Sequence, residues 1–121
     1  MKKILLVEDT VDTLNSLVEL LQMEGYEVTA SINGCMAFDM LKLFTPNLII
    51  TDLRMPMMDG FSFIEKFKSQ EDLKSIPILI FSANAAPENE QKSYQLGAVG
   101  YLKKPCSTEM LLDSIRSILL I

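Results

Sequence analysis

The chain of 121 residues contains no histidine. That absence alone removes histidine-ligated metal sites and every Ser-His or Cys-His catalytic pair. Cysteine is nearly as scarce. Cys35 and Cys106 are the only two, far apart and without a CxxC spacing. They read as small apolar thiols of a reducing compartment, not as a disulfide or a zinc site. Positive charge is in deficit: 11 Lys and Arg stand against 16 Asp and Glu, a formal net charge of −5. Such a balance argues against direct nucleic-acid binding, because phosphate contacts need clustered Lys and Arg. No polybasic segment is present for an anionic membrane either. Long hydrophobic runs are missing as well. After Met1, Lys2 and Lys3 the apolar run 4–7 stops at Glu8 and Asp9, too short for the core of a signal peptide. No stretch approaches transmembrane length. A soluble, cytoplasmic protein with no nucleic-acid or membrane partner is therefore expected.

Apolar residues make up 49% of the chain, enough to bury a core at this length without a disulfide or a structural metal. One domain over residues 1–121 is expected, with no linker, repeat or low-complexity segment. Four short apolar runs, 4–7, 48–51, 78–81 and 99–102, read as buried parallel strands. A fifth and more polar run, 26–30, reads as an edge strand. Runs this short are decided by their flanks, where Pro46, Pro77, Gly25 and Gly100 stand. The segments between them carry a helical period. Leu14, Leu17, Val18 and Leu21 share one face; Ala37, Phe38, Leu41 and Phe44 another; Phe61, Ile64 and Phe67 a third. Ser107 is placed to cap a last helix carrying Met110, Leu111, Ile115 and Ile118. The weakest helical segment is the polar stretch 85–96, with Pro87 tolerable in its first turn. Strand and helix alternate five times, which predicts an α/β fold with a parallel sheet covered on both faces.

In such a fold ligands bind outside the carboxyl ends of the strands. The first predicted strand runs into Glu8 and Asp9, the third into Asp52, the fourth into Ser82 and Ala83, the fifth into Lys103, Lys104 and Pro105. Three carboxylates, a hydroxyl and an ammonium thus meet on one sheet edge. Crowded carboxylates cannot all stay ionised cheaply without a cation. Magnesium resolves this with oxygen ligands, often one or two protein carboxylates plus waters and phosphate oxygens. A carboxylate can also be a nucleophile that forms an aspartyl phosphate. Phosphoryl transfer then needs positioning and charge neutralisation, which magnesium on one side and Lys104 on the other would supply. Read singly, each residue has a plainer role. Glu8, Asp9 or Thr10 could favour the start of the first helix, Lys103 is a solvated surface charge, Tyr101 could be edge-strand packing, and Gly60 is expected to allow an unusual backbone angle.

Taken together, these residues resemble the receiver domain of bacterial two-component response regulators over nearly the whole chain. The acidic pair is Glu8-Asp9. The phosphoacceptor and its loop run from Asp52 through Leu53, Arg54, Met55, Pro56, Met57, Met58 and Asp59 to Gly60. The hydroxyl position is Ser82, followed by the small Ala83. The Lys-Pro pair is Lys104-Pro105, with Tyr101 three residues before Lys104. From Asp52 the spacing is 30 to Ser82 and 52 to Lys104. Two positions are variants, Glu8 where Asp is also common and Ser82 where Thr is also common.

The resemblance implies a flavodoxin-like doubly wound sheet in the order 2-1-3-4-5 with five helices on two faces. It implies a magnesium ion held directly by Asp9, Asp52 and the backbone carbonyl of Arg54, with Glu8 acting through water. The phosphodonor would be a histidine kinase or a histidine phosphotransfer protein, and the receiver a signalling switch, not an enzyme acting on other molecules. Its output would follow from repacking of Ser82 and Tyr101, read by a downstream protein on the surface of the fourth helix, fifth strand and fifth helix. A phosphorylation-dependent homodimer is admitted too. Without phosphate, Ser82 should lack a strong partner and Tyr101 should sample more than one rotamer. Arg54 and Asn84, each two residues past a functional position, are expected to set the phosphoryl lifetime. A haloacid-dehalogenase-type phosphatase would want an Asp where Arg54 stands. A flavin binder would want a Ser/Thr/Gly-rich loop where the acidic residues 8–12 stand. A receiver-like domain that binds partners without phosphate is disfavoured by the intact site.

Overall fold

Side chains alternate across a strand, so a strand apolar at every position must be covered on both sides. In the computed structural model, which describes residues 1–55, 57–84 and 86–120, the alternation sorts the central strands in this way. The strands are β1 (Lys3–Val7), β2 (Glu27–Ser31), β3 (Leu48–Thr51), β4 (Ile78–Ser82) and β5 (Gly100–Lys103). All pair in parallel, in the order β2-β1-β3-β4-β5. Between them run α1 (Val11–Met23), α2 (Gly34–Leu41), α3 (Gly60–Lys68), α4 (Pro87–Leu96) and, last, α5 (Thr108–Leu119). Leu5, Val7, Ile49, Ile78 and Ile80 point to one face and pack with Ala37, Phe38, Phe63, Ile64 and Phe67 of α2 and α3. Ile4, Leu6, Leu48, Ile50, Leu79 and Phe81 point to the other, against Leu14 and Leu21 of α1 and Leu111, Leu112 and Ile115 of α5. The sheet order and the five helices on two faces agree with the expectation.

The strands lie within a residue of the predicted runs. The expected strand at Tyr26 begins one residue later because the Tyr26 amide is already used, donating to Leu21 O at 3.1 Å to close the end of α1. Helix starts follow their caps. Asn33, Asp59 and Ser107 each accept a bond from the amide three residues on, at 2.7, 3.0 and 3.1 Å. Thr10 holds the corresponding place before α1 without a side-chain capping bond. The cap at Ser107 sets the phase of α5 so that Leu112 turns inward and Met110 outward, 54% exposed, which corrects the expected face. In α3 the same logic buries Phe63 alongside Ile64 and Phe67 and leaves Phe61 at the margin. Helix α4 is the polar one, with only Ser93 buried, its hydroxyl donating to Asn89 O at 2.8 Å. Pro56 of the loop after β3, Ala85, the expected start of that helix, and Ile121 lie outside the described residues. Cys35 and Cys106 are free thiols, as expected, and burial pushes the Cys106 thiol up. Among the described residues no helix is long and apolar enough to cross a membrane.

Gly60 departs from its expected role. The left-handed residue of this loop is Met57, with φ of 71°; Gly60 has ordinary helical geometry as the first residue of α3. Its need is for space. A Cβ there would stand 2.6 Å from Leu53 Cα and 2.8 Å from Asp52 O, both backbone atoms that cannot rotate away. The close approach is fixed by Gly60 N donating to Leu53 O at 2.9 Å. Gly60→Ala is therefore expected to lose about 1–3 kcal/mol, the usual cost of forcing an extra carbon into a packed site. Urea unfolding followed by circular dichroism reads this directly, and an unchanged midpoint would contradict it.

Candidate functional site

Strand register decides which side chains meet. Val7 lies opposite Thr51, so the residues leaving β1 and β3, Glu8 and Asp52, emerge side by side. Asp52 N donates to Val7 O at 3.2 Å and fixes that alignment. Ser82 lies opposite Lys103, and Lys104 N donates to Ser82 O at 2.8 Å, which sends the Lys104 side chain back over the ends of the inner strands. There the ammonium bridges two carboxylates. Nζ donates to Glu8 Oε1 and, at 3.0 Å, to Asp52 Oδ2, with the Phe81 ring centroid 5.2 Å away. The Lys104–Pro105 peptide is cis.

Each carboxylate has a second commitment. Asp52 Oδ1 accepts from Leu53 N at 2.6 Å and Arg54 N at 3.1 Å. Glu8 Oε2 accepts from Thr10 N at 3.0 Å, which ties the residue just before α1 to the end of β1. Glu8 is 4% exposed as a residue, and the side chain of Asp52 is 11% exposed. Two nearly buried carboxylates beside each other demand a cation, and Lys104 supplies it from within the chain. Burial acts to lower the Lys104 pKa, but hydrogen bonds to Glu8 and Asp52 and the attraction of both charges outweigh it, so the net direction is up.

The remaining predicted residues fall as follows. Asp9 is exposed and, among the described residues, makes no side-chain hydrogen bond. Arg54 is exposed beside Asp52. Lys103 pairs at the surface with Glu90 at 3.7 Å. Ser82 is buried, and its Oγ accepts from Asn84 N at 3.2 Å. Asn84 turns its side chain into its own loop, Oδ1 accepting from Ala86 N at 3.0 Å. Tyr101 is 9% exposed, belongs to the core cluster on the α2–α3 face of the sheet, and its hydroxyl donates to Asn84 O at 2.7 Å. Burial pushes the Tyr101 phenol up, the Ser82 hydroxyl acts against this, and the Glu90 and Asp52 charges add to it. Sequence reasoning missed the two backbone amides on Asp52, because main-chain donors leave no mark in a sequence. It also missed the Glu8 bond to Thr10, whose only trace is an acid two residues ahead of a helix start.

A parallel sheet in this order with an acidic cleft over its carboxyl edge places the chain in the flavodoxin-like doubly wound class. Within that class it belongs to the response regulator receiver domain family, whose profile matches residues 4–116. Similar proteins include the probable transcriptional regulator ycf29 of Porphyra purpurea, 31% identical over 96% of this chain and 56% of that one. The polar-differentiation response regulator DivK of Brucella anthropi is 29% identical over 98% of this chain and 96% of that one. The chain thus spans about half the length of the first of these relatives and nearly all of the second. Among solved structures, chemotaxis protein CheY4 of Vibrio cholerae superposes with a TM-score of 0.93 at 34% identity, over 98% of this chain and 99% of that one. The receiver domain of a sensor histidine kinase from Pseudomonas aeruginosa, solved with magnesium coordinated in its active site cleft, gives 0.90 at 28% identity, over 99% and 98%.

Replacing Lys104 by Met strands two carboxylates. The expected loss without divalent cations is about 1–3 kcal/mol at neutral pH, less than for a fully buried pair because water reaches part of the cluster. The sign with pH follows from the raised pKa. The lysine's contribution is complete below its unfolded value of 10.5 and fades as pH rises through the higher folded value. Chemical unfolding of both chains between pH 7 and 12 should show a gap that is constant to about pH 10 and then closes. A gap that widens in alkali would contradict it.

Proposed function

We propose that Asp52 accepts a phosphoryl group from a phosphohistidine of a partner histidine kinase or histidine phosphotransfer protein, in a magnesium-dependent reaction. The observation that carries this is the clamped Asp52 carboxylate, Oδ1 on two amides and Oδ2 on Lys104. A carboxylate oxygen attacks phosphorus, the donor's phosphorus–nitrogen bond breaks, and the imidazole leaves with the electron pair. The amides orient the nucleophile, which is most of what phosphoryl transfer asks of a protein. Lys104 is within reach to pass from Asp52 Oδ2 to a phosphoryl oxygen, and Ser82 Oγ is a hydroxyl donor on the neighbouring strand end.

Hard oxygen donors fit magnesium, and Glu8 and Asp52 already converge on one cation. Asp9, Asp52 and the Arg54 backbone carbonyl would hold the ion directly and Glu8 through water. Among the described residues no three acidic groups gather closely enough to hold a metal unaided, so waters and phosphate oxygens would complete the shell. When bound, the ion neutralises charge on the transferring group. The Pseudomonas aeruginosa neighbour with magnesium in its cleft supports this reading.

The unit over residues 1–121 is read as one signalling domain that acts on its own phosphorylation and not as an enzyme on other molecules. Its output is read by an unassigned downstream protein, or by a second copy in a phosphorylation-dependent homodimer. A phosphoryl group on Asp52 would draw the Ser82 hydroxyl toward it. That breaks the Ser82 bond to Asn84 N, and with it disturbs the loop whose Asn84 carbonyl anchors Tyr101. The trigger is therefore loss of an existing anchor, not the choice of a rotamer by a free ring. Structures with and without beryllofluoride decide this, and superposable positions for Ser82, Asn84 and Tyr101 would refute it.

Treated with acetyl phosphate and magnesium, the chain should gain the mass of one phosphate, lost on chelation and in Asp52→Asn. An undiminished adduct in Asp52→Asn would remove the assignment. The same intact-mass assay, followed after donor removal, reads the lifetime. Arg54→Ala should shorten it by unshielding the acylphosphate. Asn84→Ala should alter it through the loop, since the Asn84 side chain is bonded to Ala86 N.

A further inference from the structure

The carbonyl of Asp52 is confined on one side by Gly60, where even a Cβ would come within 2.8 Å of the oxygen. A polar group so enclosed needs a hydrogen-bond partner from the protein. Its partner is the hydroxyl of Thr51, 1% exposed, whose Oγ1 donates to Asp52 O at 3.0 Å. The same oxygen lies 3.5 Å from Met55 Sδ, so the one hydroxyl touches both the strand end and the middle of the loop that follows. Between those two points lie Leu53 and Arg54, whose amides hold Asp52 Oδ1. Valine would fill the same volume and suit a β strand as well, so packing alone does not call for a hydroxyl here.

We propose that Thr51 is a positioning residue for the acceptor: its hydroxyl fixes the Asp52 peptide and the turn to Met55, and so aims the Leu53 and Arg54 amides at Asp52 Oδ1. Without it the Asp52 carbonyl turns to find another partner, and Leu53 N, in the same planar peptide unit, turns with it. The nucleophile then loses its orientation while its charge and its bond to Lys104 remain. Thr51 touches neither the donor nor the transferring group.

This inference rests on Asp52 being the phosphoacceptor, and the test separates the two. Initial rates of phosphate incorporation from acetyl phosphate at saturating magnesium are measured for the wild type, Thr51→Val, Thr51→Ser and Asp52→Asn, with urea midpoints for each. Thr51→Val should fall about tenfold in rate, the scale expected when a reacting group is misplaced by a fraction of an ångström. Thr51→Ser, which keeps the hydroxyl and loses the methyl, should stay near the wild-type rate even where its urea midpoint drops. If Thr51→Val is too unstable to assay, Thr51→Cys takes its place, and its weak thiol donor should leave the rate low. A valine or cysteine variant that matches the wild type overturns the inference, as does a serine variant that falls as far as valine. Failure of the wild type to take phosphate on Asp52 overturns the acceptor reading first, and this one with it.

Discussion

The bridge from Lys104 to Glu8 and Asp52 is the interaction on which the rest of the cleft depends. The register of β1 against β3 sets two carboxylates beside each other whether or not they have company. Their low exposure removes most of the water that would otherwise screen them. A cation beside them then favours the folded state. Lys104 meets it because β5 sits next to β4 and its backbone is tied to Ser82 O. One contact thereby joins the ends of β1, β3 and β5, strands that are separated along the chain and only partly adjacent in the sheet.

The two-sided core explains why the edge can be built so firmly. β1, β3 and β4 are buried at nearly every position, and each successive side chain anchors the strand into the opposite layer. Such strands have little freedom to slip, because a one-residue shift would exchange the two layers entirely. The residues that follow them inherit that precision. The polar helix α4 has no comparable grip, with Ser93 its only buried residue and its first turn next to the loop of Asn84. The firmly packed part of the molecule thus carries Asp52, and the polar helix adjoins the loop of Asn84.

Much of this was legible in the sequence because the signals were redundant. Strands of four or five apolar residues, bounded by Pro and Gly and separated by helical periods, fix the alternation, and alternation fixes which ends share an edge. Asp52, Ser82 and Lys104 could be placed on one edge from that alone. What stayed hidden was how far side chains reach. Nothing in a string of letters tells that Glu8 spans from the amide just before α1 to the ammonium just after β5, or that Asp9, its neighbour, is exposed. Gly60 was read as a matter of backbone angle because its obstacle, the Asp52 carbonyl, is close only after folding. The anchor of the Tyr101 hydroxyl is equally invisible in the sequence, being a main-chain oxygen 17 residues away. Met110 stands among the apolar residues of the last helix in the sequence, but an apolar residue in a first turn fits more than one phase, and in the fold Leu112 takes the inward place.

A carboxylate drawn on paper has two equivalent oxygens. In this fold Asp52 does not. Oδ1 is held by amides that belong to the main chain, and Oδ2 by an ammonium on a four-carbon stem. To free the first, the loop must be rebuilt; to free the second, a few bonds must rotate. The fold has therefore made the two oxygens inequivalent: one is part of the frame, and the other is a door.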